Sequence, residues 1–257
     1  MFMVKSCFSK DNIHSRKTVK IGTLDEYRNT EHEQIVDKFE GTFRFNINLV
    51  DAHIDSGVFH FLQSSHNSFV KHYYHDMQMQ GSSHVVDNSY FLKKFDMVIE
   101  LQNTNRFIFC ISHLKNVDDC IGIFEDYDDH WSFKASYTKL VTEELSASLN
   151  KEIMIRESAG IKVFEGEYEP EKLSFKVTIQ KIDYKHRSMQ IDNELFYREL
   201  TKIIEAFKGT SFIKPDSYAK EKEFRFIFDF YYQGKLLSPK SKSIIIPIEG
   251  RLLSLIK

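Results

Sequence analysis

The sequence predicts an α+β fold, a largely antiparallel sheet with flanking helices. Three observations carry the prediction. Apolar and polar residues alternate with period two in several segments, the mark of strands with one buried face. About eight or more strand-length runs stand against three or four helical ones, in no regular βαβ order. The chain is also rich in aromatics, 23 Phe and 12 Tyr, with only four Pro and ten Gly. Aromatics favour strands and large packed interiors.

Residues 18–21 form a short β-type run, followed by Gly22-Thr23-Leu24 and an acidic, polar segment over 25–40. Phe43, Phe45, Ile47 and Leu49 alternate with Thr42, Arg44, Asn46 and Asn48, which predicts a strand buried on one face. Residues 68–79 have helical length with a mixed face, and 81–88 read as a polar surface loop. Residues 95–101 and 106–112 read as adjacent strands joined by a turn at Gln102-Asn103-Thr104-Asn105. Further short strands are expected at 121–124 and 131–133, around the acidic turn 125–129. A helix follows over 138–149, then strands at 161–164 and 174–183, with Phe175, Val177 and Ile179 sharing a face that alternation extends to Lys181.

The clearest helix begins at Asp192, a capping residue, and ends at Gly209. Leu195, Phe196, Leu200, Ile203, Ile204 and Phe207 recur along it at helical spacing. A loop over 210–220 leads to the clearest strand, 221–230, in which Phe224, Phe226, Phe228 and Phe230 alternate. A last strand over 243–248 is apolar enough to be central.

At 257 residues the chain suits one large domain or two small ones. The absence of internal repeats or a low-complexity linker predicts a single domain spanning 1–257. The net charge of −2 excludes gross electrostatic attraction to nucleic acid or membrane. No apolar run is long enough to span a bilayer, the N-terminus lacks a secretory pattern, and three cysteines without CxxC spacing fit reduced thiols. A cytoplasmic protein without membrane partners is therefore expected. Neither GxGxxG nor GxxxxGK[ST] occurs.

Chemistry concentrates on the phenylalanine-striped strand. With its phenylalanines inward, alternation turns Glu221, Glu223 and Arg225 together to the other face. A charged face of this kind is commonly only solvated. In a cleft, neighbouring carboxylates push each other's pKa values apart and suit acid–base work or cation stabilisation.

The run Tyr218-Ala219-Lys220-Glu221-Lys222-Glu223-Phe224-Arg225 resembles the closing block of the bacterial and phage DUF2971-type proteins. Their opening block is similar to Gly22-Thr23-Leu24-Asp25-Glu26-Tyr27-Arg28, and their central strand to Phe109-Cys110-Ile111-Ser112. The same three blocks distantly resemble the ADP-ribosyltransferases. There a His-Gly-Thr or an Arg on a first strand, a Ser or Tyr on a middle strand and a late E-x-E lie on a split antiparallel sheet. Ile21 stands here where the histidine would be, and Arg16, Arg28 or Lys20 could supply a basic first element.

The resemblance implies a split, ADP-ribosyltransferase-like sheet with NAD as a substrate and no metal. Glu223 would hold the ribose 2′-hydroxyl and steady the oxocarbenium-like sugar; Glu221 would orient or deprotonate the nucleophile. Ser112 would support Glu223, and Gly22, Thr23 and Arg28 would contact the dinucleotide. Phe212 and Tyr218, before the carboxylates, would grip the acceptor by stacking, although core packing explains them equally well. The implied activity is that of a toxin or effector in bacteria–phage conflict, modifying nucleic acid or protein, with an antitoxin or defence protein as a possible partner. The alternative is a non-catalytic sensor or interaction module of a defence system.

Other clusters point less far. His72-x-x-His75 has helical metal-ligand spacing but no third ligand at a companion position. The acidic segment 125–130 lacks the calcium-loop pattern, and Cys110 and His113 face opposite ways on a strand. Lys181, Lys185, His186 and Arg187, with Tyr184, form a small basic cluster that could contact a phosphate or nucleic acid, although solvated surface explains it more simply.

Overall fold

The computed structural model describes residues 1–30, 36–63, 70–85, 88–207 and 210–257. Its strands in chain order are β1 (Phe2–Cys7), β2 (Thr18–Thr23), β3 (Thr42–Asp55), β4 (Val70–Val85), β5 (Ser89–Asn103), β6 (Phe107–Leu114) and β7 (Asp129–Lys134). They continue with β8 (Ser174–Lys181), β9 (Asp183–Tyr184), β10 (Ser188–Ile191), β11 (Ile213–Lys214), β12 (Glu223–Tyr232), β13 (Lys235–Leu236) and β14 (Ser243–Pro247). The helices are α1 (Ile13–Arg16), α2 (Leu24–Asn29), α3 (Ser56–Gln63), α4 (Thr138–Ser158), α5 (Asn193–Ala206) and α6 (Arg251–Leu255). The fold is α+β with mostly antiparallel sheets. No helix among the described residues is long and apolar enough to cross a membrane.

The chain forms two compact units, one of residues 1–40, 105–184 and 216–257, the other of 41–104 and 185–215. In the larger unit eight strands make one sheet. Strand β12 lies between β8 and β6, antiparallel to both. The far edge of β6 is shared: its C-terminal half bonds β1, its N-terminal half β2. The sheet therefore forks at β6 into a β1–β7 arm and a β2–β14 arm.

Alternation along β6 and β12 sends Phe107, Phe109, Ile111, Phe226, Phe228 and Phe230 into one core, closed by Val141, Leu145, Leu149 and Ile153 of α4 and Leu252 of α6. Strand β8 sets Phe175, Val177 and Ile179 opposite Phe230, Phe228 and Phe226, the face that its periodicity predicts.

The smaller unit is the sheet β10-β3-β5-β4, antiparallel except for the parallel β10–β3 pair. Phe43, Phe45, Ile47 and Leu49 are buried as expected; the left-handed Asp51 then shifts the inward set to Ala52 and Ile54. Against this face pack Phe59 and Leu62 of α3, Phe196 and Ile203 of α5, and Phe207. Asp192 caps α5 by accepting from the Leu195 amide at 2.8 Å. The helix is kinked at Glu199 and ends at Ala206; Gly209 lies outside the described residues.

Several local expectations are overturned. The helix expected over 68–79 is strand β4 from Val70 onward, paired along its length with β5, with Ser68 and Phe69 outside the described residues. Strand β4 also runs through Gly81 to Val85, where a loop was expected. The tetrapeptide Gln102–Asn105 is not a turn between partners, because β5 and β6 belong to different sheets. Its polar groups anchor instead: the Asn103 amide donates to Gly41 O at 2.9 Å, and Asn105 Oδ1 accepts from the Asp25 amide at 3.1 Å.

Within 121–124 the left-handed Gly122 makes a turn where a strand was expected. Of 161–164, only Phe164 forms a bridge, to Pro239. The acidic segment after Thr23 begins as α2, and α4 extends well past Leu149. Strand β14, expected to be central, bonds only β2 among the described strands and leaves Ile245 exposed.

Phe226→Ala empties the middle of the larger core and should cost about 3–5 kcal/mol of stability. Ile245→Ala on the outer strand should change it by less than about 0.5 kcal/mol. Urea unfolding of both variants measures the contrast.

Candidate functional site

The face of the β6–β12 pair turned away from the phenylalanines is charged yet withdrawn from water. Register puts Glu223 directly opposite Ser112 and Arg225 opposite Cys110. Gly22 lies on the same face opposite Ile108, four residues along β6 from Ser112, roughly 13 Å at the strand rise. The three blocks singled out in the sequence thus meet on one sheet.

At the centre stands Arg225, 1% exposed, between Glu40 at 0% and Glu223 at 4%. Its Nε donates to Glu223 Oε1 at 2.8 Å, while Nη1 and Nη2 donate to Glu40 Oε1 and Oε2 at 2.8 and 3.3 Å. Burial alone pushes the guanidinium pKa down; the Glu223 and Glu40 carboxylates outweigh it and hold Arg225 well above its ordinary value. The Glu223 amide also donates to the Tyr184 hydroxyl at 2.7 Å.

The neighbouring blocks are built from ordinary folding devices. Thr23-Leu24-Asp25-Glu26 has the spacing of a capping box. Thr23 Oγ1 accepts from the Glu26 amide at 3.3 Å and donates to Lys242 O at 2.8 Å. Helix α2 folds back over β2, so a Cβ on Gly22 would stand 2.5 Å from Glu26 Oε2 and 3.3 Å from the Tyr27 ring. The space above Gly22 therefore holds Glu26 and Tyr27.

The Tyr27 hydroxyl is pushed well above its ordinary pKa by burial first, then by its hydrogen-bonded neighbour Cys110 and by Glu223. Arg28 donates from Nε to Glu40 O and from Nη1 to Asp25 Oδ1, both at 2.7 Å. It thereby fixes the main chain that carries Glu40.

One placement differs from the alternation argument. Glu221 is not on the strand: it ends a 3-10 turn, Asp216–Glu221, and the left-handed Lys222 separates it from Glu223. Glu221 is buried, but two-residue spacing does not set its direction. Tyr218 lies in the same turn and donates to Val36 O at 3.2 Å. Phe212 is buried in the 3-10 turn Thr210–Phe212 of the smaller unit. The expected loop over 210–220 is thus two tight turns around β11.

His72 and His75 sit on strand β4, so the helical spacing behind a metal reading does not apply, and no group of three or more potential metal ligands occurs among the described residues. Sequence reasoning gave no role to Glu40, or to Tyr27 within its block, and set Tyr184 in a surface cluster. The T-x-x-E spacing was a signal for the cap at Thr23; Glu40 has no local signature.

A second ion pair lies on this face. Arg106 Nε and Asp229 Oδ1 are 3.5 Å apart, a charge contact rather than a good hydrogen bond. Burial pushes the Asp229 carboxyl up, with Arg106 opposing, and pushes the Arg106 guanidinium down, with Asp229 opposing. Desolvation outweighs attraction for both partners, the reverse of the balance at Arg225. No family model, curated protein or solved structure matches the chain.

Two outcomes are expected. Arg225→Ala leaves two buried carboxylates without their cation and should cost about 3–5 kcal/mol in urea unfolding, whereas Arg106→Met with Asp229→Leu should be neutral or stabilising. A carboxyl whose pKa is raised on folding contributes stability that is full below its unfolded value of about 4 and lost as pH rises through the folded value. Asp229→Asn should therefore remove a loss of stability that the parent chain shows on going from acid to neutral pH.

Proposed function

We propose that this chain transfers ADP-ribose from NAD to a nucleic-acid or protein acceptor, with Glu223 as the carboxylate that steadies the ribosyl cation. The observation that carries this reading is the register of Glu223 opposite Ser112, on a forked antiparallel sheet whose β2 arm holds Gly22 and Thr23. It agrees with an ADP-ribosyltransferase-like arrangement.

In the reaction the bond between the ribose C1′ and the nicotinamide nitrogen breaks, and its electron pair leaves with nicotinamide. Positive charge grows on the sugar, and a fixed carboxylate stabilises it most where water is excluded. Arg225 keeps the Glu223 side chain in one orientation, so little reorganisation is needed as that charge appears. The acceptor oxygen or nitrogen then bonds to C1′ and gives its proton to Glu221. Because Glu223 and Glu221 are both buried, the reading requires their cover to move aside when NAD arrives. In bacteria–phage conflict such an activity makes a toxin or effector, for which an antitoxin or defence protein is a fitting partner.

A second reading is favoured by one observation, the closure of Arg225 on both Glu223 and Glu40 with all three side chains buried. A cluster so satisfied serves a non-catalytic sensor or interaction module as a structural clamp.

Incubation with labelled NAD and bacterial extract separates the two. The transferase reading expects label transfer and nicotinamide release, lost by at least about a hundredfold in Glu223→Gln. If nicotinamide is never released, and Glu223→Gln acts only by lowering stability, the clamp reading stands and the transferase reading falls.

A further inference from the structure

Strand β4 is an edge strand of the sheet in the smaller unit. It bonds β5 along one edge, and no other strand among the described residues bonds its second edge. An open edge in a strand of 16 residues is a template for pairing unless charge, proline or a cover blunts it. Between Val70 and Gly81 there is no proline, and Lys71 and Asp76 are the only lysine, arginine or acidic residues.

Register against β5 sets Tyr74, Met77 and Met79 opposite Ile99, Met97 and Phe95, three residues of the unit's core. They stand on the core side of the sheet, yet Met77 and Met79 are 49% and 43% exposed. The irregularity between Tyr74 and Asp76 also reverses parity. Core-side positions are His72 and Tyr74 before it, Met77 and Met79 after it. In an antiparallel pair of identical strands that spans the bulge, like faces meet when an even position before it meets an odd one after it.

We propose that β4 pairs with β4 of a second copy of this chain, antiparallel, about a twofold axis between His75 and Asp76. Two four-stranded sheets then join into one, and the isologous contact closes as a dimer. In this register Tyr74 meets Met77 of the second copy and His72 meets Met79, which covers the exposed thioethers with aromatic rings. On the opposite face Lys71 meets Gln80 and Tyr73 meets Gln78. At the axis His75, whose Nε2 already lies 3.6 Å from Glu100 Oε2, meets Asp76 of the second copy. A slip of two residues either way sets Asp76 against Tyr73 or Met77 and forfeits the contact between His75 and Asp76. The proposal stands apart from the transferase reading and uses none of its residues.

Sedimentation velocity of the full chain over a range of concentrations should show a monomer–dimer equilibrium. Met77→Lys should yield a monomer with unchanged circular dichroism and melting temperature. His75→Asp sets carboxylates against each other twice across the axis and should weaken the dimer about tenfold. The double exchange His75→Asp with Asp76→His restores opposite partners and should restore the dimer. A chain that stays monomeric at every concentration overturns the proposal, as does a dimer that none of these substitutions alters.

Discussion

A guanidinium withdrawn from water governs the charged face of the larger unit. Moving an arginine out of solvent costs several kcal/mol even after relaxation, and the loss is recovered only if carboxylates meet it in good geometry. Arg225 meets that condition twice, through Glu223 on its own strand and through Glu40, far away in sequence. The second contact needs the chain around Glu40 held in place, which Arg28 does by bonding the Glu40 carbonyl. Residues 28, 40, 223 and 225 therefore form one dependent set.

The same sheet shows how differently its two faces are stabilised. The phenylalanine face needs only contact and volume. On the opposite face, stability turns on the balance between desolvation and attraction, and that balance differs between Arg225 and Arg106. A substrate that competes for Glu223 would draw on the first balance. The carboxylate is thus a structural partner of Arg225, and under the proposed transferase reading the same group would also have to meet the sugar.

Much of the scaffold was legible. The phenylalanines of β12, the inward run of β3 and the capped helix α5 follow from period and capping alone, because each buries a clean stripe. Strand β4 was misread because most of it is exposed on both faces at a sheet edge, so no periodicity survives. Glu221 was misplaced because lysine rarely adopts the left-handed backbone that Lys222 takes. Glu40 was invisible: its burial comes from a partner 185 residues away, which no local pattern encodes.

The most direct test of the transferase account is a crystal structure of the chain with NAD or a non-hydrolysable analogue bound. The account predicts the ribose 2′-hydroxyl next to the nicotinamide within hydrogen-bonding reach of Glu223, with Ser112 beside it. Nicotinamide ribose bound elsewhere at saturating ligand, with Glu40, Arg225 and Glu223 still closed on one another, would contradict it.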